Sequence, residues 1–126
     1  MYLPLGKEYA ARPALLRLLE LIGHDSPEGP ALVLRAWQEL GLEIPADLEP
    51  TEVGLWRATS PVTWTWEAFG DAAFYGTEDG RRFSHVALVA GYQLVMTCDP
   101  WIKLERPRYR PDFLGIRRLS SLEFGA

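Results

Sequence analysis

The stretch FSHVALVAGYQLVM, residues 83–96, contains two short apolar runs joined by a turn at Gly91. Apolar runs of this length, bounded by turn residues, are typical of β-strands, and so short a connection makes the two strands antiparallel neighbours. The first run includes His85. Because strand side chains alternate between the two faces of a sheet, we expect Phe83 to share a face with His85. The stretch therefore predicts a β-hairpin that presents a histidine.

Strand signals continue on both sides of this hairpin. The run DAAFYG, residues 71–76, precedes it, and FLGIRRL, residues 113–119, follows a proline-rich segment. Short apolar or alternating runs separated by turn residues are typical of an antiparallel meander. We expect the last of these strands to close the sheet.

Helical signals fill the first third of the chain. RPALLRLLELIG, residues 12–23, and PALVLRAWQELG, residues 30–41, each place a proline near the start, an apolar face along the middle and a glycine at the end. They predict helices over Pro13–Ile22 and Pro30–Leu40. Residues 42–69 indicate an irregular connection with one short helix. Helices followed by antiparallel strands give an α+β fold, with N-terminal helices on a sheet of about four to six strands.

Composition narrows the class of protein. The 126 residues fit one domain, residues 1–126, and a hydrophobic share of 48% is typical of a folded protein. The net charge of −4 argues against a nucleic-acid binder, and no apolar run is long enough for a membrane span. Cys98 is the only cysteine and there are two histidines, so we expect neither a metal site nor a cofactor.

Two further stretches bear on the location and the partners of the chain. The N-terminus MYLPLGKEYAARP carries charges and lacks the apolar core of a secretory signal. The one basic cluster fits an acidic partner, a wall polymer or an ordinary solvated surface. Its members are Lys103, Arg106, Arg108, Arg110, Arg117 and Arg118.

Four stretches in this order resemble the NlpC-type papain-like cysteine peptidases, cell-wall hydrolases that also occur in bacteriophage tails. ALVLRAWQELGLEIP is similar to the family's nucleophile helix, and FGDAAFYG to its Gly-Asp strand entry. SHVALVAGYQLVM is similar to its Ser-His-Val strand pair, and DFLGIRRL to its Gly-x-Arg-Arg ending. The resemblance covers roughly residues 25 to 119 and implies a papain-like fold.

The resemblance also implies positions for a catalytic triad. Such peptidases use a cysteine in the first turn of a helix, a histidine base on the facing sheet and a third polar residue. Placing GPALV on the family's Cys-Ser-Gly-Leu-Val puts Gly29 where the nucleophile should be, and His85 matches the base. The third position falls on Met96 or Thr97. His85 is then a vestigial base or a satisfied groove residue.

Other residues offer weaker alternatives. Cys98 could serve as a substitute nucleophile, although a lone cysteine is more often structural. Trp64, Trp66 and Tyr75 could line a sugar-binding groove, or could fill a core or an interface.

We therefore expect a catalytically degenerate NlpC-type domain that acts as a structural or interaction protein. The favoured setting is a bacteriophage tail tip or baseplate, with other chains of the assembly as partners and the virion as location; the cytoplasm is the other location. Two alternatives stay open. One is an active peptidase that cuts peptidoglycan stems with Cys98 and His85, and the other is a pseudoenzyme that binds wall fragments.

Overall fold

The computed structural model describes residues 5–62, 67–77, 82–91 and 93–120. Within these ranges three α-helices come first, and six strands follow. The helices are α1 Leu5–Leu19, α2 Gly29–Glu39 and α3 Glu52–Ala58. The strands are β1 Thr59–Val62, β2 Ala72–Gly76, β3 Phe83–Gly91, β4 Leu94–Cys98, β5 Ile102–Glu105 and β6 Phe113–Leu119, with a short 3-10 helix at Pro107–Tyr109. In the described part of the chain, no helix is both long and apolar enough to cross a bilayer.

The six strands form one sheet in the order β1-β6-β2-β3-β4-β5, and every neighbouring pair is antiparallel. The prediction of an α+β fold with helices before an antiparallel sheet is confirmed. The last strand does not lie at an edge, because β6 inserts between β1 and β2. The two edges are therefore β1 and β5.

Helix α2 follows the predicted bounds to within one residue. Pro30 occupies its first turn, where a missing backbone N–H costs no hydrogen bond. At its other end Gly41 has a φ of +68°, a conformation that glycine adopts without strain. Its buried side, which includes Trp37, packs against the sheet, and the Trp37 indole Nε1 donates to the Gly70 carbonyl at 2.7 Å. This bond fixes the helix against the entry to β2.

Helix α1 differs from its prediction. It runs from Leu5 to Leu19, so Pro13 lies inside it rather than at its start. A proline in a helix removes one backbone hydrogen bond but does not always end the helix. Pro13 is exposed, while Ala14 and Leu18 are buried, so the part of the helix that follows the proline packs into the core.

The connection over residues 42–69 contains the expected short helix, α3, and also an unexpected strand, β1. Thr51 caps α3 by accepting a hydrogen bond from the Gly54 N–H at 3.0 Å. Strand β1 includes Pro61, which an edge strand tolerates because one side of its backbone is unpaired. Strand β5, in the proline-rich segment before β6, was also not predicted.

The sheet has a separate apolar cluster on each face. On the helix-facing side, Trp37, Phe74 and Leu88 belong to the larger core, which also contains residues of all three helices. On the opposite side, Ala73, Tyr75, Ala87 and their neighbours form a smaller cluster made only of strand residues. The face on which a strand residue lies therefore decides whether it meets a helix.

Candidate functional site

Gly29, the residue at the nucleophile position in the resemblance, is the first residue of α2 and is buried. Its φ of +42° lies in the left-handed region, which side-chain-bearing residues rarely adopt. A Cβ at this position would lie 3.9 Å from Cγ1 of Val86. The start of α2 therefore faces an apolar side chain of β3.

His85 lies on the other face of the sheet. Its direct cross-strand partner is Tyr75, and the two ring centroids are 5.6 Å apart. Val86 pairs with Phe74 and belongs to the helix-facing core. Since consecutive strand residues point to opposite faces, the imidazole points away from the side that packs against α2.

The alternation predicted for β3 breaks at one point. Phe83 was expected on the face of His85, but its ring packs against Trp56 and Phe74 in the helix-facing core. A β-bulge between Tyr75 and Gly76 shifts the register there, so that an extra residue separates Phe83 from His85. A Cβ at Gly76 would lie 2.1 Å from the Arg82 carbonyl oxygen, which explains the glycine at the bulge.

The two residues considered for the third position lie on different faces. Met96 is buried in the helix-facing core. Thr97 is buried on the opposite face, and its Oγ1 is hydrogen-bonded to Nε2 of His85. The structure therefore brings Thr97, and not Met96, to the imidazole.

The pKa of His85 is lowered, first by burial and then by the positive charge of Arg110. Asp99, Glu105 and Asp112 oppose that shift but do not outweigh it. The imidazole is therefore neutral near pH 7, with one ring nitrogen held by a threonine hydroxyl. A neutral imidazole can accept a proton, but a hydroxyl orients it less strongly than a carboxylate does.

Cys98 ends β4 on the helix-facing side, where it packs against the larger core. Its Sγ donates to the carbonyl of Asp25 at 3.3 Å. Burial raises the pKa of this thiol, and the carboxylates of Glu28, Asp25 and Asp99 raise it further. Activated cysteines have the opposite surroundings, with positive charge or a helix N-terminus beside the sulfur.

A polar cleft of about 400 Å³ opens at the end of the sheet where these residues meet. One of its residues, Arg110, pairs with Asp99 at 3.0 Å and with Glu105 at 2.9 Å. The residues that line it are Ser84, His85, Cys98, Asp99, Arg110, Pro111 and Asp112. His85 and Cys98 thus border one cleft from opposite faces of the sheet, and the charged groups of the cleft were not anticipated, although Arg110 was noticed within the basic cluster.

The three residues considered for sugar binding have different outcomes. Tyr75 lies in the interior, with no exposed surface, and its hydroxyl donates to the Pro107 carbonyl at 3.0 Å. Trp64 and Trp66 lie outside the described residues. Within the described ranges, no group of three or more potential metal ligands comes together.

The polar residues of the two flanking motifs hold the fold together. Asp71, from FGDAAFYG, forms a buried ion pair with Arg118, from DFLGIRRL. The neighbouring Arg117 stacks over the Trp56 ring at 4.0 Å and donates to the Trp56 carbonyl at 3.0 Å. These contacts join β2 and α3 to the last strand.

Solved structures with this architecture come from several organisms. A Staphylococcus aureus protein described as similar to lipoprotein, NLP/P60 family, matches with a TM-score of 0.66 at 15% identity, over 94% of this chain and 43% of that one. A Bacillus cereus NlpC/P60 family protein matches with a TM-score of 0.66 at 18% identity, over 90% and 41%. The P60 domain of a Mycobacterium avium paratuberculosis antigen matches with a TM-score of 0.69 at 14% identity, over 90% and 94%.

This chain thus spans less than half the length of the first two proteins and nearly all of the third. No model of a known protein family matches the sequence, and no curated protein matches it either. Likeness at such low identity establishes architecture, and one fold can carry many functions. The chain therefore has an NlpC/P60-type α+β fold.

Proposed function

We propose that this chain is a non-hydrolytic NlpC-type domain that serves as a structural or interaction protein. The observation that carries the proposal is that Gly29, at the start of α2, faces the side chain of Val86 on β3. In the catalytic arrangement implied by the resemblance, a thiolate at the helix start meets an imidazole on the facing strand. Here a glycine meets a valine, and the histidine lies on the other face of the sheet.

Covalent catalysis by a cysteine peptidase needs two groups in contact. The nucleophile must reach the substrate carbonyl, and a base within hydrogen-bond distance must take its proton. Gly29 has no side chain to attack with, and Pro30 has no backbone N–H to donate to an oxyanion. The hydrogen bond of His85 to Thr97 uses one ring nitrogen on the far face of the sheet. We infer that Gly29 marks a lost nucleophile and His85 a vestigial base.

We place this domain in a bacteriophage tail tip or baseplate, with other chains of the assembly as its partners and residues 1–126 as one domain. The resemblance supports this setting, because NlpC-type domains also occur in phage tails. Contact with peptidoglycan fits the same setting, since a tail tip meets the cell wall.

The alternative of an active peptidase uses Cys98 with His85. Their common cleft favours it, but their positions on opposite faces and the raised pKa of the thiol weigh against it. The alternative of a wall-fragment binder rests on the polar cleft around Arg110. It predicts saturable binding of soluble muropeptides that is lost in His85→Ala.

Hydrolysis is tested by incubating the purified chain with peptidoglycan and analysing the soluble fraction by mass spectrometry. The matched control is Cys98→Ser, which removes the only thiol. We expect no stem peptides from either protein. Release by the wild type that disappears in Cys98→Ser would overturn the proposal in favour of the peptidase.

The virion setting is tested separately. Phage particles purified from a host that carries the coding sequence are analysed by mass spectrometry, and we expect the chain in the particles at a fixed ratio to known tail proteins. Its absence from the particles, with the chain present in the host cytoplasm, would overturn that setting.

A further inference from the structure

A groove of about 600 Å³ is lined by residues of the edge strand β5 and of the segment that follows it. Its lining combines long basic side chains with an aromatic ring. We call it the β5 groove, and its residues are Lys103, Glu105, Arg106, Arg108 and Tyr109. Tyr109 is 78% exposed, and Leu104 on the same strand is 38% exposed. Large apolar side chains on an open surface beside charged side chains are typical of a binding site.

The charges of the β5 groove have one net sign. The carboxylate of Glu105 is paired with Arg110 at 2.9 Å, which offsets the only negative charge of the lining. Lys103 and Arg106 take part in no ion pair with any other described residue, and the guanidinium of Arg108 lies 5.5 Å from the Phe113 ring centroid. A chain of net charge −4 thus carries a locally positive groove. An acidic ligand complements it.

On its outer edge, the backbone of β5 already pairs at one residue, Ile102, with the segment Gly23–His24. Ile102 donates its N–H to the His24 carbonyl at 2.7 Å and accepts from the Gly23 N–H at 2.8 Å, on the side away from β4. Two residues further along the strand, the N–H and C=O of Leu104 have the same outward direction. Neither group has a backbone partner elsewhere in the described ranges. The edge therefore accepts a strand, and its next pairing position is open.

We propose that the β5 groove binds an extended acidic segment of a partner protein, which continues the sheet beside β5. The segment pairs its backbone with Leu104, and its carboxylates meet Lys103, Arg106 and Arg108. Tyr109 supplies an apolar surface for one of its side chains. Strand addition to an exposed sheet edge is a common mode of peptide recognition, in which the backbone gives affinity and the side chains give specificity.

The open backbone groups favour a peptide over any other polyanion. A phosphate or carboxylate polymer could meet the basic side chains, but it could not both donate to and accept from the backbone of Leu104. This inference rests on the proposed interaction role and names a surface for it. It does not depend on His85 or on the side chain at position 29.

The test uses the full chain and a fluorescein-labelled peptide of alternating Glu and Val residues, with binding followed by fluorescence anisotropy. We expect saturable binding that weakens as salt is added, because the contacts are charged. The double variant Lys103→Glu/Arg106→Glu should lose about tenfold or more in affinity, since each reversal replaces attraction by repulsion. The matched control is Arg12→Glu on α1, which is also exposed and should bind like the wild type.

A second probe separates strand addition from charge alone. The same peptide with alternate backbone nitrogens methylated keeps its carboxylates but cannot donate along one edge, and we expect it to bind about tenfold more weakly. Equal binding of both peptides, or their full displacement by inorganic polyphosphate without any effect of methylation, would overturn the proposal in favour of a general polyanion surface. Absence of binding to the wild type would overturn it outright.

The two proposals fail in different experiments. Release of stem peptides refutes the non-hydrolytic role whatever the peptide does, and an empty β5 groove leaves that role standing. Circular dichroism of the double variant verifies that lost binding does not come from lost structure, and the methylated peptide needs no variant at all.

Discussion

Asp71 and Arg118 form a buried two-point ion pair that joins the entry of β2 to the end of β6. The Arg118 Nε donates to Oδ1 of Asp71 at 2.8 Å, and another guanidinium nitrogen donates to Oδ2 at 2.9 Å. Asp71 has no exposed surface, Arg118 is 7% exposed, and the Ala68 N–H also donates to the carboxylate at 2.8 Å. Burial raises the pKa of Asp71, and its three donors act against that rise.

We expect Asp71→Asn to destabilise the protein by about 3–5 kcal/mol, because it replaces the carboxylate beside the buried Arg118 guanidinium by a neutral amide. Urea unfolding measures the change. The double variant Asp71→Asn/Arg118→Met removes both charges and should cost less than the sum of the two single changes. A single-variant cost below about 1 kcal/mol would contradict a structural role for the pair.

Gly29→Cys should not create a peptidase. The new sulfur would face Val86, with His85 on the other side of the sheet, and the residue would have to adopt a φ of +42°. We expect no stem-peptide release and a loss of about 1–2 kcal/mol in stability, the cost of a left-handed conformation. Gly41→Cys, at a φ of +68° with open space around its Cβ, should show a similar loss and is the matched control. Stem peptides produced by Gly29→Cys alone would refute the face assignment of His85.

The thiol of Cys98 should react slowly near neutral pH. Burial and three nearby carboxylates raise its pKa, so the thiolate fraction is smaller than in a free cysteine. We expect the rate of Cys98 alkylation by iodoacetamide at pH 7.5 to be lower than that of a model thiol. The inflection of its pH–rate profile should lie at a higher pH than that of the model thiol. Asp25→Asn, which removes one carboxylate, should speed the reaction. An inflection below the ordinary cysteine pKa would support the peptidase alternative.

His85 should make stability fall in acid. The pKa of His85 in the folded state lies below the ordinary value of 6.5. At a pH between the folded-state pKa and 6.5, the unfolded chain therefore binds a proton that the folded chain does not. The contribution is therefore fully present above about pH 6.5 and is lost as the pH falls through the folded-state pKa. We expect the free energy of unfolding, measured with urea between pH 7.5 and pH 5, to change less with pH in His85→Gln than in the wild type. Parallel slopes would contradict a buried neutral imidazole.

Much of the fold follows from local patterns. The apolar stripe around Trp37 with Pro30 and Gly41 at its ends was sufficient for α2, and short apolar runs identified β2, β3, β4 and β6. The predicted bounds of α1 were wrong at both ends, because Pro13 lies inside the helix and the helix ends at Leu19 instead of Ile22. Strands β1 and β5 contain or adjoin prolines, and pairing with β6 and β4 decides their structure, which no local pattern reveals.

The site was less predictable, because it depends on which face each residue occupies. A strict period of two placed Phe83 beside His85, and the bulge at Gly76 reversed that relation. The glycine in YGTEDG was the one signal, since a strand glycine often marks a bulge. The pairing of Asp71 with Arg118 spans 47 residues of sequence and follows only from the insertion of β6 beside β2.

The segment that lines the β5 groove also covers the smaller core. Its Pro107 carbonyl accepts the hydrogen bond of the buried Tyr75 hydroxyl, and its Asp112 carbonyl accepts from the Gly76 N–H at 3.0 Å. A ligand that binds Arg106, Arg108 and Tyr109 therefore stabilises this segment in its position over the smaller core. Occupancy and global unfolding become linked equilibria, so a saturating partner raises the melting temperature and slows amide exchange around Tyr75. Binding at the edge of the sheet can therefore be detected as a change in the stability of its interior.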